Sequence, residues 1–359
     1  MADNGDSNGT NGTLNGTNGT ENTQHVEKHV HVVEPITMET DPPNNDAVDT
    51  DASDAEPDGP EISEELGKVV IKPNEVNALE LDFQHCKIPK IENLEVLTKI
   101  ENLGFRWNFI KKIENLHHLT TLKELELYDN QITKIENLDG LVNLSMLDIS
   151  HNRLRKIEGL ENLPNLRRLY LVSNKISRIE NLDKLTGLEM LELGDNKIRK
   201  VENLDTLVNL TELYLGKNKI SKIENLEKLE NLKILSIQAN RIRSICGVDE
   251  LPHLEELYIA DNGLENLQGL EKNVNIETLE VANNKITSLK GVDKMSKLEE
   301  FWANGNEVSD WKEVEQLSAN KCLLTVYLEH NPIQKDPQYR RKLKMCIPTL
   351  TQIDATLCQ

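Results

Sequence analysis

The chain repeats its own pattern with a period of 22 residues over most of its length. An asparagine marks each period, preceded by a short apolar–x–apolar segment and followed by apolar residues two and usually five positions later. The markers are Asn108, Asn130, Asn152, Asn174, Asn196, Asn218, Asn240, Asn262, Asn284 and Asn306. A fixed period of about 20–50 residues is the signature of stacked structural repeats. One elongated array is therefore expected, instead of several independent domains.

The spacing of apolar residues within one period predicts the local structure. It can be written L-x-x-L-x-L-x-x-N-x-I-x-x-I-E-N-L-x-x-L, as at residues 122–141. The Leu-x-Leu segment alternates inward and outward and should form a short strand that pairs in parallel with its neighbours. The asparagine amide can bond backbone groups where the chain leaves the strand. We predict a leucine-rich repeat solenoid of the α/β class, with a curved parallel β-sheet on the concave face, short 3₁₀ or helical turns on the convex face and a C-terminal cap.

The period divides the chain into three segments. Extending it backwards places Cys86 at the asparagine position, and extending it forwards reaches Asn331, which gives a solenoid of about twelve repeats at residues 66–331. Residues 1–65 carry 16 acidic residues and one basic residue and are predicted to be a disordered acidic tail. Residues 332–359 break the repeat, and Pro337 just after Asp336 suits a helix start, so this segment should be the C-terminal cap.

Several classes of function are disfavoured. The sequence contains no apolar run long enough to span a membrane and no secretory leader, so we expect the nucleus and cytoplasm. The five cysteines form no Cys-x-x-Cys pair, and neither a disulfide framework nor a zinc site is expected. Phosphate-binding, nucleophile-elbow and zinc-protease motifs are absent from the sequence. We predict that the protein is not an enzyme and has no cofactor or metal.

Two charged rows follow the repeat. The basic row is Lys90, Lys112, Lys134, Lys156, Arg178, Lys200 and Lys222, and the acidic row two residues later is Glu92, Glu114, Glu136, Glu158, Glu180, Glu202 and Glu224. A basic stripe alone would suggest nucleic-acid binding. Because the acidic row runs beside it, we interpret the two rows as mutually compensating and solvated.

The middle residue of each Leu-x-Leu segment points away from the core, onto the concave sheet. Through the twelve repeats this position holds Asp82, Gly104, Glu126, Asp148, Tyr170, Glu192, Tyr214, Ser236, Tyr258, Glu280, Trp302 and Tyr327. The chain has only six tyrosines, and four of them lie in this row. The position two residues earlier faces the same way and adds further acids, including Glu300.

This composition indicates a binding surface for protein. Acids on adjacent strands, such as Glu126 and Asp148, should repel each other, and exposed aromatic rings gain nothing from water. Tyrosine and tryptophan are common anchors of protein interfaces, and the acids would select a partner offering lysine or arginine. Nucleic acid is disfavoured because carboxylates would face its phosphates. The alternative is that the tyrosines only reflect strand propensity, which does not explain the accompanying acids.

The Ile-Glu-Asn-Leu form of the repeat, the segment Glu300-Phe301-Trp302 and the ending YLEHNPIQKDPQYRRK at residues 327–342 carry a family resemblance. Over about residues 75–355 the chain closely resembles the leucine-rich repeat regulatory subunits of protein phosphatase 1. The resemblance implies a non-catalytic subunit whose concave face binds the phosphatase catalytic subunit, also in a ternary complex with a small inhibitor protein. The implied contacts are Asp148, Tyr170, Glu192, Tyr214, Glu280, Glu300, Trp302 and Tyr327, and Tyr258 joins them from its place in the row.

A second hypothesis remains open from the sequence. The same repeat occurs in scaffolds for other complexes, such as splicing-type repeat proteins that dock an RNA-binding partner. We would expect a shorter array in that class. Which proteins the chain captures from a cell extract would distinguish the two.

Overall fold

The computed structural model describes residues 67–358, so the predicted acidic tail at residues 1–65 lies outside the described part of the chain. A single sheet of 14 strands runs through the described residues, and the strands follow one another in chain order. The first twelve strands pair in parallel. They are β1 Glu80–Asp82, β2 Asn102–Gly104, β3 Glu124–Glu126, β4 Met146–Asp148, β5 Arg168–Tyr170, β6 Met190–Glu192, β7 Glu212–Tyr214, β8 Ile234–Ser236, β9 Glu256–Tyr258, β10 Thr278–Glu280, β11 Glu300–Trp302 and β12 Thr325–Tyr327.

Each strand is centred on the first apolar residue of the predicted Leu-x-Leu segment. In β3, Leu125 is fully buried, while Glu124 and Glu126 on either side are half-buried on the opposite face of the sheet. The second leucine, Leu127, lies just after the strand and is also fully buried. Strand alternation therefore places two residues of every repeat on one continuous outer surface, which we call the sheet face.

The repeated asparagine is buried in most repeats and connects neighbouring repeats. Asn174 donates from Nδ2 to the carbonyl oxygens of Ile149 at 3.0 Å, Leu171 at 3.2 Å and Val172 at 3.2 Å. Its Oδ1 accepts a hydrogen bond from the backbone nitrogen of Leu154 at 2.9 Å. One amide thus satisfies four backbone groups where the strand ladder has ended, which confirms its predicted structural role.

A second asparagine position, not identified from the sequence, performs a similar task in the Ile-Glu-Asn-Leu segment. Asn137 has a left-handed backbone, with φ of 62°, and donates from Nδ2 to the carbonyl oxygen of Ile113 at 2.6 Å. Asn181 repeats the arrangement, donating to Ile157 at 2.7 Å. Asparagine tolerates this backbone conformation better than most residues do. The signature residue therefore both turns the chain and joins adjacent repeats.

The side opposite the sheet contains few helices. Short 3₁₀ segments occur at Val248–Glu250, Val292–Lys294 and Gln316–Ala319, and an α-helix, α1, spans Trp311–Glu315. Earlier repeats use successive turns in place of helix. In one of them Leu141 bonds to the carbonyl of Leu138 and Leu144 to that of Leu141, both at 2.9 Å. Because these bonds start three residues apart, each closes a separate turn and no continuous 3₁₀ helix results.

The segment predicted to be a cap contains a 3₁₀ turn at Pro332–Lys335, the helix α2 at Tyr339–Cys346, and two short strands, β13 Gln352–Ile353 and β14 Thr356–Leu357. Helix α2 begins two residues after Pro337. Strand β13 pairs in parallel with β12, whereas β14 pairs antiparallel with β13. The sequence did not predict these last two strands, because they lie outside the repeat period. Between residues 67 and 358, no helix is long and apolar enough to cross a membrane.

Candidate protein-binding face

The nine candidate residues lie together on the sheet face of β4 to β12. Eight of them occupy one row: Asp148, Tyr170, Glu192, Tyr214, Tyr258, Glu280, Trp302 and Tyr327. Ser236 on β8 is the only interruption between them. Glu300 flanks Trp302 on β11. All nine are half-buried, and we call them the acidic–aromatic row.

Two tyrosines of the row are oriented by acids of their own strands. The Tyr214 hydroxyl donates to Glu212 Oε2 at 2.9 Å, and the Tyr258 hydroxyl donates to Glu256 Oε2 at 2.7 Å. In both cases burial, together with the neighbouring carboxylate, raises the pKa of the phenol. The hydroxyls therefore stay protonated and remain hydrogen-bond donors. Each of these strands presents an oriented ring together with a carboxylate.

The C-terminal end of the row is an aromatic pair. The rings of Trp302 and Tyr327 stack with centroids 4.9 Å apart and planes inclined by 30°. Trp302 Nε1 donates to Glu300 Oε2 at 3.2 Å, and Gln352 Nε2 donates to the Tyr327 hydroxyl oxygen at 2.7 Å. Gln352 belongs to β13, outside the repeats, which is why the repeat pattern could not reveal it. The pair offers a large, pre-oriented apolar surface.

The acids between the aromatic residues are partly desolvated. Burial, reinforced by the charge of Asp148, raises the pKa of Glu192 to about 7. Burial also raises the pKa of Asp148 and, with a contribution from Asp261, that of Glu280. A carboxylate in such a site gains from a partner cation that replaces its lost water. The row is therefore suited to a partner that brings positive charge.

Two ion pairs on or beside the sheet face were not predicted. Arg106 lies against Glu126 in a hydrogen-bonded ion pair that raises the pKa of the arginine. Arg168 Nη2 lies 3.0 Å from Glu124 Oε1. The expected repulsion between Glu126 and Asp148 is thereby offset, because Arg106 lies near both carboxylates. The sequence did contain an indication of these ion pairs, since Arg106 and Arg168 are basic residues on an otherwise acidic or neutral surface.

Part of the expected pairing between the two charged rows is observed on the flank of the repeats. Arg178 Nε lies 3.0 Å from Glu202 Oε1 in the next repeat, and Lys134 Nζ lies 3.4 Å from Glu136 Oε2. These pairs are solvated on their basic side, with the Arg178 side chain 60% exposed. Exposed pairs of this kind contribute about 0–1 kcal/mol each. Among residues 67–358 no group of three or more His, Cys, Asp and Glu residues is arranged to hold a metal ion.

Comparison with known proteins first defines the class. The profile of the family Leucine Rich repeats (2 copies) matches residues 120–162, 164–206, 208–253 and 252–294. An internalin from Listeria monocytogenes aligns with a TM-score of 0.63 and 24% identity, covering 79% of this chain and 88% of that one. The leucine-rich repeat domain of APL1 aligns with a TM-score of 0.59 and 20% identity, covering 71% and 69%. Together with the continuous parallel sheet, these matches establish a leucine-rich repeat solenoid.

Curated relatives within this class match short segments of the chain. The chain is 55% identical over 49 residues to protein phosphatase 1 regulatory subunit 7 of Xenopus tropicalis, and 51% identical over 49 residues to that of Homo sapiens. It is 52% identical over 58 residues to protein phosphatase 1 regulatory subunit SDS22 of Schizosaccharomyces pombe. The aligned segments span 14% of the first two relatives and 18% of the third. These relatives are named as regulatory subunits, which agrees with the prediction that this repeat protein is not an enzyme.

Proposed function

We propose that this chain is a non-catalytic regulatory subunit that binds the catalytic subunit of protein phosphatase 1 through the acidic–aromatic row. The observation that carries the proposal is the unbroken register of acids and aromatics from Tyr258 to Tyr327, in a chain whose curated relatives are phosphatase 1 regulators. Aromatic rings held by hydrogen bonds need little further ordering on binding, which favours affinity. The resemblance extends the proposal to a ternary complex with a small inhibitor protein, and to the nucleus and cytoplasm as its location.

The residues of the row have different roles in binding, which follow from their side-chain chemistry. Trp302 and Tyr327 supply the largest apolar contact, because their stacked rings are half-buried and already fixed in position. Glu192 supplies a partly desolvated carboxylate that a lysine or arginine of the phosphatase would neutralise. Aromatic anchors near well-packed positions are the usual sites of high binding energy. These three residues are therefore the most informative ones to change.

Binding of the purified phosphatase catalytic subunit to the full chain tests the proposal. Trp302→Ala, Tyr327→Ala and Glu192→Ala should each weaken binding by more than about 1 kcal/mol, or roughly fivefold. Phe109→Ala is a matched control, since Phe109 is 37% exposed and lies outside the row. Circular dichroism and urea unfolding should show that each variant keeps its fold. Unchanged affinity in all three row variants would exclude the proposed site.

The alternative function, a scaffold for another protein complex, is tested by a separate measurement. The full chain is used to capture proteins from a cell extract, beside the Trp302→Ala variant. Capture of phosphatase by the wild type, and its loss in the variant, supports the proposal. Spliceosomal proteins as the dominant capture, with no phosphatase, would favour the alternative scaffold function.

A further inference from the structure

A second group of aromatic side chains lies at the N-terminal end of the array, outside the acidic–aromatic row. His85, Trp107, Tyr128 and His151 come from four successive repeats and form a continuous series of ring contacts, which we call the aromatic column. The His85 and Trp107 rings are stacked, with centroids 4.5 Å apart and planes inclined by 2°. The Trp107 and Tyr128 rings meet edge to face with centroids 5.6 Å apart, and the Tyr128 and His151 rings are tilted by 48° with centroids 4.6 Å apart.

The leucine-rich repeat does not require rings at these positions. Trp107 and His151 immediately precede the buried asparagines Asn108 and Asn152. At the same position, with the same left-handed backbone, six successive later repeats carry Ser173, Asp195, Lys217, Ala239, Asp261 and Asn283. Small and polar residues are therefore compatible with the fold at this position. Within residues 67–358 a ring returns to it only at His330, just before Asn331, so rings at this position that touch across adjacent repeats are a feature of the first repeats.

The backbone at these positions suits histidine better than tryptophan. The φ angles are 56° at His85, 54° at Trp107 and 54° at His151. Histidine is enriched in the left-handed region, whereas tryptophan there costs about 1 kcal/mol relative to residues suited to it. Trp107 is 37% exposed, and the larger, buried part of the residue offsets a cost of this size. The exposed part of the ring system gains nothing from water and is available to a ligand.

Two carboxylates lie near the column and indicate the charge of that ligand. The pKa of Tyr128 is raised by burial and by the negative charges of Asp129 and Asp148. Arg106, a nearby cation, is already paired with Glu126. Negative charge beside aromatic rings attracts a cation. Among biological cations a guanidinium fits best, because it is planar, stacks on aromatic faces and donates to carboxylates in the same plane.

We propose that the aromatic column is a second docking surface, which binds arginine side chains of a basic, extended protein segment. The arrangement of the column supports an extended segment, since its rings lie shortly after the ends of four adjacent parallel strands and contact one another from repeat to repeat. Except for Asp148 at the boundary, the surface shares no residue with the acidic–aromatic row. A protein held at the row can therefore be contacted at the column by a second segment.

Titration of the full chain with a short synthetic peptide of alternating arginine and serine tests this inference. Matched peptides carry lysine or glutamine in place of arginine. Trp107→Asn and Tyr128→Ala should weaken binding of the arginine peptide about fivefold to tenfold. Phe109→Ala is the control, because Phe109 is 37% exposed and belongs to neither surface, and it should leave the peptide affinity unchanged. The lysine peptide should bind several-fold more weakly than the arginine peptide, and the glutamine peptide should not bind detectably.

The Trp107→Asn variant also separates binding from folding. Asparagine occupies the equivalent left-handed position at Asn283, so the variant should be fully folded without urea, with an unfolding midpoint lowered only by the lost ring contacts of Trp107. A variant that is not folded without urea would show that Trp107 is structural and would overturn the proposal. Wild-type peptide affinity in both column variants would also overturn it, because attraction would then come only from the overall negative charge. Equal affinity for the lysine or glutamine peptide would exclude arginine stacking.

Discussion

Glu192 allows a quantitative test of the electrostatics of the sheet face. Its carboxylate lies half-buried between Tyr170 and Tyr214 on the neighbouring strands, and its pKa is raised from 4.5 to about 7. The folded chain therefore retains a proton that the unfolded chain releases between these two values. Stability associated with Glu192 is present below pH 4.5 and is lost as the pH rises through 7.

The size of the effect follows from the shift. A change in pKa from 4.5 to about 7 corresponds to about 3 kcal/mol. Partial exposure of the side chain and screening by salt reduce this to about 1–2 kcal/mol. Glu192→Gln retains the shape and the neutral charge at every pH. The free energy of unfolding of the variant minus that of the wild type should therefore increase by about 1–2 kcal/mol from pH 5 to pH 8.

Urea unfolding followed by circular dichroism at the two pH values measures this difference. Glu277→Gln, at an exposed glutamate just before β10, controls for the removal of one negative charge from an acidic protein. The control should shift by the same small amount at both pH values. The reasoning would be refuted if the difference in free energy of unfolding between the wild type and Glu192→Gln were equal at pH 5 and pH 8. Burial would then not disfavour the charged form of Glu192.

Three further predictions concern the repeat and its cap. Asn174→Ala should lower the free energy of unfolding, measured in urea, by about 2–4 kcal/mol, because four backbone groups lose their partner. The control Asn165→Ala breaks one exposed hydrogen bond and should lower it by less than about 1 kcal/mol. Gly159→Ala should lower the free energy of unfolding by about 1–2 kcal/mol, since φ is 68° and the added carbon would meet the Ile135 carbonyl oxygen at 2.5 Å. Gly159→Asn should lower it by less, because asparagine tolerates a left-handed backbone better than alanine does. Gln352→Ala should weaken phosphatase binding, measured as above, but by less than Tyr327→Ala, because it removes only the hydrogen bond that orients the ring. An effect of Gln352→Ala equal to that of Tyr327→Ala would mean that the cap contacts the partner directly.

The fold could be predicted because each repeat poses the same packing problem. Leu125 and its counterparts must be buried, and strand alternation then assigns Glu126 to the outer face without further information. For the same reason the membership of the acidic–aromatic row could be read from the sequence. Its environment could not be, because the pKa of Glu192 depends on how closely neighbouring side chains cover it.

The residues that were missed depend on contacts across repeats. Arg106 pairs with Glu126 in the next repeat, and Gln352 reaches Tyr327 from beyond the last repeat. Neither contact follows from the period, which describes what repeats have in common. The aromatic column was missed for the opposite reason, since it is a departure from the period at a position outside the strands. Comparison of Trp107 with its counterparts in later repeats was sufficient to reveal it.

The reversal of direction at β14 has a consequence for the behaviour of the protein at high concentration. Every strand from β1 to β13 runs the same way, so a bare C-terminal edge would have matched the β1 edge of another molecule. Molecules joined in that head-to-tail manner form an open filament, because the contact never closes on itself. Such growth requires two compatible ends. The two residues of β14 run in the opposite direction to the other strands and cover this end of the sheet. They therefore disfavour polymerisation without any change to the β1 edge.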